Sequence, residues 1–336
     1  MLVMTLLAIV VTELAMSMRL EASMVRSYKD ATLATHLAEA AVQQATREIL
    51  GPGSIQALDE DGTLSFYRQV GTSALMVKLS RLPRQRVPLG AGEFSYRISD
   101  EEARLNLNTA PSDRVDRLLT ALGLDKQARD IINDSLQDWR DADDLSRING
   151  AESEDFYLKL PVPYRARNGA LQDTAELLQI RGITREIYRG EEGHPALADL
   201  VTVGSPDPRF PRNTVNMNTA PAPVLKALGL SDAEITEITH TRTKTPYTSA
   251  TATRFVRAGL GYGSATFRIE AEGLIAGEPR ARIVAIVQRR SGPQTAVATP
   301  PLGVTTLSVQ RQISPPTGAA TPPLGVATLS WRPAEP

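Results

Sequence analysis

The chain of 336 residues has no cysteine, which excludes disulfide staples and zinc–thiolate sites and leaves its redox compartment open. Histidine is nearly absent too. His36, His194 and His240 lie far apart in sequence and give a His-rich metal site or a His-based catalytic triad little to work with. Aromatic residues make up only 5% of the chain, a poor stock for stacking on nucleic-acid bases. The net charge is −1, so the basic footprint of a nucleic-acid-binding domain is missing. No nucleophile–base pair and no redox motif stands out, and enzyme chemistry is set aside on that ground. What is present is ordinary soluble bulk, 42% hydrophobic and 22% charged, enough for two domains or for one domain with a large insertion.

Proline and glycine are also missing from Met1 to Leu50, and Gly51 is the first glycine. The opening "MLVMTLLAIVVTELAM" carries one charge, Glu13, before Arg19. It lacks the basic start of a signal peptide. A buried core helix is one use of such a run; a membrane anchor that continues outward without a break fits it better. Leu20, Met24, Leu33, Leu37, Ala40, Ala41 and Ala45 keep helical spacing, with Arg19, Arg26, Lys29, Asp30, Glu39 and Glu48 between them. At 1.5 Å per residue the expected rod is roughly 70 Å long, its first third in lipid and its last third against a globular body. This shape resembles the spine of a type IV pilin-like protein. Members of that family have a basic leader ending in Gly and a Glu at the fifth position after it, whereas this sequence opens directly on the apolar run and its fifth residue is Thr5. The family carboxylate is thought to meet the terminal amine of the subunit above. A subunit at the filament tip has no such partner, and an unpaired buried carboxylate is costly, so the absence of Glu suits a tip subunit.

"GPGSIQALDEDG", residues 51–62, breaks the helix. "ALMVKLSRL" and "GEFSYRISDEEARLNLN" then read as strands. From Ala110 to about Tyr188 the pattern is helical, with Pro111-Ser112-Asp113 as a start and Gly123 and Gly182 as left-handed stops. A second short helix follows Pro221. "ATFRIEAEGLIA" and "RARIVAIVQRR" form a hairpin across "GEP", with Phe267, Ile269, Ala271 and Gly273 on one face and Arg268, Glu270 and Glu272 on the other. Beyond Ser291 the chain is rich in Pro, Thr and Ala. There "ATPPLGVTTLS" recurs 22 residues later as "ATPPLGVATLS", read as a duplicated and mostly disordered tail. The expected organisation is a spine helix (1–50), a first part of a pilin-like domain (51–104), an inserted helical domain (105–214), a second pilin-like part ending in the hairpin (215–290), and the tail (291–336).

One phrase occurs twice, as "LNLNTAP" ending at Pro111 and "VNMNTAP" ending at Pro221. Each reads as a junction where an extended segment closes and a helix opens, one near the exit from the pilin-like domain and one near the return. The helical phrases at 118–132, 176–188 and 224–238 share an apolar pair, a Gly and a second helix, which resembles the helix-hairpin-helix unit that grips DNA phosphate. Against that use, residues 134–155 hold eight carboxylates and two arginines. Asp138, Asp141, Asp143, Asp144, Asn149, Glu152, Glu154 and Asp155 are hard oxygen donors in one loop-like run, with Gly150 for a tight turn. They suit calcium, although not at EF-hand spacing. A solvated acidic loop is the alternative.

"DEEARLNLNTAP", the "DWRDADD…NGAE…FY" block, "LPVPYRARNGALQDTAELLQIRGIT", "VNMNTAP…LKALGL" and the terminal hairpin, in that order, resemble the minor pseudopilin K family of the type II secretion system (general secretion pathway protein K). The resemblance runs to about Arg290. It implies an α+β fold in which a long N-terminal helix packs on a small antiparallel sheet, with a large inserted all-α domain. It further implies an inner-membrane protein with one spanning helix and its body in the periplasm, at the tip of a pseudopilus with minor pseudopilins I and J, in reach of secreted cargo or the outer-membrane channel. Calcium in the inserted domain is implied as well, carried here onto Asp141, Asp143, Asp144 and Glu152. No nucleic acid is expected. The competing reading is a membrane-tethered helix-hairpin-helix receptor for DNA.

Overall fold

A computed structural model describes residues 2–53, 55–71, 75–191, 193, 195–204, 214–249, 251–290, 303–313 and 327–328. Helix α1 (Leu2–Ile49) is followed by strands β1 (Ile55–Leu58), β2 (Leu64–Gln69), β3 (Met76–Lys78), β4 (Val87–Leu89), β5 (Gly92–Asp100) and β6 (Leu105–Asn106). Next come helices α2 (Ser112–Ala121), α3 (Lys126–Arg140), α4 (Arg185–Arg189) and α5 (Leu197–Leu200), then strands β7 (Val201–Thr202) and β8 (Val215–Asn216). Helices α6 (Ala222–Ala227) and α7 (Asp232–Lys244) precede β9 (Leu260–Gly261), β10 (Thr266–Ile275), β11 (Glu278–Arg290), β12 (Gly303–Ile313) and β13 (Ala327–Thr328). The chain divides into two compact units. The first is Met1–Gly51, Ser80–Ser99 and Thr266–Pro336; the second is Pro52–Leu79 and Asp100–Ala265.

In the first unit α1 lies on a sheet of order β13-β12-β11-β10-β5-β4. The helix runs unbroken because nothing in it breaks a helix, and it ends at Ile49, just before Gly51 and Pro52. Its second half buries Ala34, Leu37, Ala38, Ala41, Ala45 and Ile49. Four of these six are alanines, so the backbone can come close to the sheet. Gly273 on β10 completes the fit, since a methyl there would overlap the Ala34 carbonyl oxygen. The first half of α1 is exposed along its apolar length and is long and apolar enough to cross a membrane. Arg84 anchors the buried end: its guanidinium donates to both carboxylate oxygens of Glu48, at 2.6 and 3.1 Å, and Tyr96 donates to the same carboxylate at 3.1 Å.

The hairpin alternates as expected, with Phe267, Ile269 and Ala271 buried and Glu270 paired to Arg97 and Arg282. Its turn differs from the expected "GEP". Ala276 and Gly277, both at positive φ (54° and 80°), make a two-residue turn, and Pro279 already belongs to β11, opposite a register shift at Gly273/Leu274. Within the tail read as mostly disordered, β12 pairs antiparallel with β11, and β13 with β12. The other tail residues, and His194, lie outside the described residues.

The second unit surrounds a large apolar core that includes Leu118, Leu119, Leu136, Leu177, Val224 and Ile238, with a smaller cluster of Ile55, Ala57 and Tyr67 buried by β1 and β2. It contains both "NTAP" phrases, in one geometry repeated. In each copy the first Asn accepts from the backbone amide of the second: Asn106 from Asn108 and Asn216 from Asn218, both at 3.0 Å. The second Asn then clamps two distant strands of chain. Asn108 donates to the carbonyls of Leu171 and Val203 and accepts from the Leu171 amide. Asn218 donates to the carbonyls of Tyr247 and Tyr262 and accepts from the Tyr247 amide. Short parallel pairings, β6 with β7 and β8 with β9, sit beside each clamp. Pro111 and Pro221 cap the helices that follow, and Gly123 and Gly229 take positive φ (83° and 84°) after them. Helix α2 packs on α6, and Arg117 donates to the Ala227 carbonyl. The phrases therefore open two related modules inside one unit, and the chain does not leave that unit until Ala265. Residues 105–214, expected as an inserted domain, lie within this unit, which also holds α6 and α7 and continues to Ala265.

Candidate functional site

The acidic run grows out of α3. Burial of Ile132 and Leu136 fixes which face of that helix turns inward, and Ser135, Asp138 and Trp139 share it. Asp138 is thereby drawn to full burial although it is a carboxylate. The helix stops at Asp141, whose backbone is extended. Residues 141–149 then cross the surface with Leu145 and Ile148 exposed, and a turn closes at Gly150, whose amide donates to the Arg147 carbonyl at 3.1 Å. The chain re-enters the core at Ala151, Glu152 and Ser153. Behind the loop stands a cluster drawn from the sparse aromatics: the Trp139, Phe156 and Tyr164 rings lie 5.3, 5.3 and 5.2 Å from that of Tyr157. Arg181 covers Phe156 and donates to the Gly150 carbonyl at 2.9 Å.

Arg147 and Glu152 decide the electrostatics. A single nitrogen of Arg147, Nη1, donates to Asp138 Oδ1 at 2.7 Å and to Asp141 Oδ2 at 2.6 Å, and the Arg147 backbone amide also reaches Asp138. Glu152 is 2% exposed, and neither of its carboxylate oxygens has a hydrogen-bond partner among the described residues. Burial first, and then the charges of Asp138, Asp141 and Asp144, push its pKa up to about 7. The Ser153 backbone amide offsets this in part, short of full hydrogen-bond geometry. Asp141 Oδ1 is a further buried oxygen without a partner. Gly150 is required by close approach rather than by a left-handed backbone, because a methyl there would overlap Asp138 Oδ2.

Of the four carboxylates that the resemblance carried over, Asp141 and Asp144 lie close enough to Glu152 to raise its pKa. Asp143 instead accepts from the Leu145 amide at 3.0 Å and shapes the turn. Asp138 sits among the acidic residues in sequence but belongs in this group by position, and a buried helical carboxylate is hard to tell from an exposed one by spacing alone. Asn168 was not foreseen. It takes a left-handed backbone (φ 48°) and donates to Asp144 at 2.8 Å and to the Asp143 carbonyl at 3.1 Å. Asn149, Glu154 and Asp155 are used elsewhere: Asn149 donates to Asp134, Glu154 pairs with exposed Arg165, and Asp155 accepts from Ser146 and from the Glu152 amide. Among the described residues no three acidic side chains stand in ready-made metal-ligand geometry. The donor set is nonetheless all hard oxygen, and the orphaned oxygens of Glu152 and Asp141 fit a hard cation.

At the phrases that resemble helix-hairpin-helix units, backbone amides that could meet a phosphate are already taken by anionic or polar caps. Asp125 accepts from the Ala128 amide at 2.8 Å, and Ser231 with Glu234 forms a capping box at α7. Gly182 is pressed against Ile131 and Ile132. These turns serve packing, and nothing favours the DNA-receptor reading.

Residues 98–194, which contain the whole acidic loop, match the family model described as type II secretion system (T2SS), protein K. The type II secretion system protein K of Pectobacterium carotovorum is 33% identical over 122 residues, covering 32% of this chain and 37% of that protein. The Pseudomonas aeruginosa protein of the same name is 32% identical over 147 residues, covering 41% and 40%. The matched part of the chain thus spans about two fifths of the length of these relatives. In fold, the chain is similar to a chain of the GspK-GspI-GspJ complex from the type 2 secretion system of enterotoxigenic Escherichia coli. The TM-score is 0.57 at 18% identity, with 88% of this chain and 100% of that one covered.

Proposed function

For a chain that carries a type II secretion system protein K domain at residues 98–194, we propose the role of a minor pseudopilin: a structural protein of secretion and not an enzyme. The observation that carries this reading is the coincidence of that domain with a fold match over 88% of a chain that also has an apolar spine helix. The exposed first half of α1 anchors the protein in the inner membrane, single-pass, and the body lies in the periplasm. The solved complex of a similar chain with GspI and GspJ supports minor pseudopilins I and J as partners. Their joint task is to cap the pseudopilus tip and help start its assembly for export of folded proteins. Deleting the chain's gene in its own organism is expected to trap secreted proteins in the periplasm and lower their extracellular level at least about tenfold, with recovery on complementation. Unchanged secretion would reject the role, and failure to co-purify with I and J would reject the partners.

A calcium ion belongs to the same proposal. Asp138, Asp141, Asp144 and Glu152 would hold it, with Asp143 shaping the loop beside them. Bound calcium supplies positive charge to carboxylates that the protein leaves unpaired. A thermal melt with and without chelator tests this directly: a chelator-sensitive melting temperature is expected, and an insensitive one removes the metal.

A further inference from the structure

We propose that the Arg147 guanidinium is a resident counter-cation that occupies the site when metal is absent and leaves it when calcium enters. This rests on the calcium reading above and adds a built-in competitor to it. The geometry is that of a stand-in ion. One nitrogen lies within 2.7 Å of oxygens from two different carboxylates, Asp138 and Asp141, where a cation shared between them would sit. Its cover is partial. Both oxygens of Glu152 and one of Asp141 stay buried and unpaired, because a planar donor group cannot serve the six to eight oxygens that calcium gathers.

The remaining surroundings make the exchange feasible. Arg140, the other arginine of the block, donates to the Gln137 side chain at 2.5 Å rather than to a carboxylate. It is half-buried and already feels the charge of Arg147, so a dication added beside both arginines would meet repulsion that the more mobile Arg147 can relieve. The Arg147 side chain is 42% exposed and can swing into water without unpacking the core. Its loop is lightly held. Leu145 and Ile148, on either side, are 77% and 99% exposed, and the remaining ties are polar ones: the Arg147 backbone amide to Asp138, the Gly150 amide to the Arg147 carbonyl, and bonds through Asn168, Ser146 and Asn149. Metal entry therefore frees a loop carrying two exposed apolar side chains from its ion pairs and resets it around the metal.

The test is calcium titration of the full chain in detergent after chelator treatment, comparing wild type, Arg147→Gln and Arg147→Lys, with melting temperatures recorded in chelator and in calcium. Arg147→Gln is expected to bind calcium about tenfold more tightly than wild type, because the competing state is gone, and to melt lower in chelator. Arg147→Lys, which keeps the charge but not the guanidinium, is expected between the two. If Arg147→Gln folds only in calcium, the inference holds in its strongest form. Binding by Arg147→Gln that equals or falls below wild type would overturn it while leaving the calcium site standing. No binding by any of the three proteins would overturn the calcium reading itself.

Discussion

Glu152 is a carboxylate taken out of water with nothing to receive it, so its ionisation works against the metal-free fold. Its folded pKa of about 7 exceeds the ordinary 4.5. The contribution is therefore full below about pH 4.5 and is lost as the pH rises through 7, on the order of 3 kcal/mol at most. In chelator the melting temperature is expected to fall between pH 5 and 8, and Glu152→Gln should flatten that slope while abolishing stabilisation by calcium. A slope that survives Glu152→Gln would assign it to another group. Gly150 offers a second check at this scale. Gly150→Ala pushes a methyl into the buried Asp138 carboxylate, and a loss of about 2–3 kcal/mol with weakened calcium binding is expected from denaturation and titration.

The two asparagine clamps belong to the scale of elements, since each ties a helix start to two remote segments of chain. Asn218 is fully buried, and Asn218→Ala would leave the Tyr247 and Tyr262 carbonyls and the Tyr247 amide unpaired, at about 2–4 kcal/mol. Asn108→Ala should cost less in urea unfolding, because its site is only part-buried. At the β10–β11 turn the opposite sign is expected. Ala276 is held at φ 54°, and Ala276→Asn gives the Asn-Gly pair this turn prefers, raising stability by about 0.5–1 kcal/mol. These elements also mark how far the sequence could be read. The spine helix and hairpin were legible because period 3.6 and period 2 are local signals. The capped starts at Pro111 and Pro221 were legible as well. The clamps were not, because "NTAP" shows the asparagines but not the carbonyls they meet, 29 to 95 residues away. Composition showed the acidic run, and the family resemblance carried calcium onto Asp141, Asp143, Asp144 and Glu152 within it. Asp138 was counted among the oxygen donors of the run but not among those four, because its burial follows from how α3 packs, and nothing local to Arg147 tells which carboxylates it will join.

At the scale of the whole molecule, the two compact units respond to different things. The metal candidates all lie in Asp100–Ala265, while α1 and the large sheet lie in the other unit. Hydrogen exchange with and without chelator is expected to show lost protection around residues 134–169 and little change in residues 34–49 and 267–287. Equal loss in both would mean that the metal acts on the fold as one body. In the first unit, the Ala34–Gly273 contact has a mechanical consequence. A helix resting in a glycine notch, with Glu48 gripped by Arg84 and Tyr96 farther along, cannot slide lengthwise without driving a side chain into β10 or breaking that grip. Any pull or push delivered at the apolar end of α1 is carried as shear into the strands. The rod and its sheet move along the axis as one piece, and the joint fails only by prying, not by slipping.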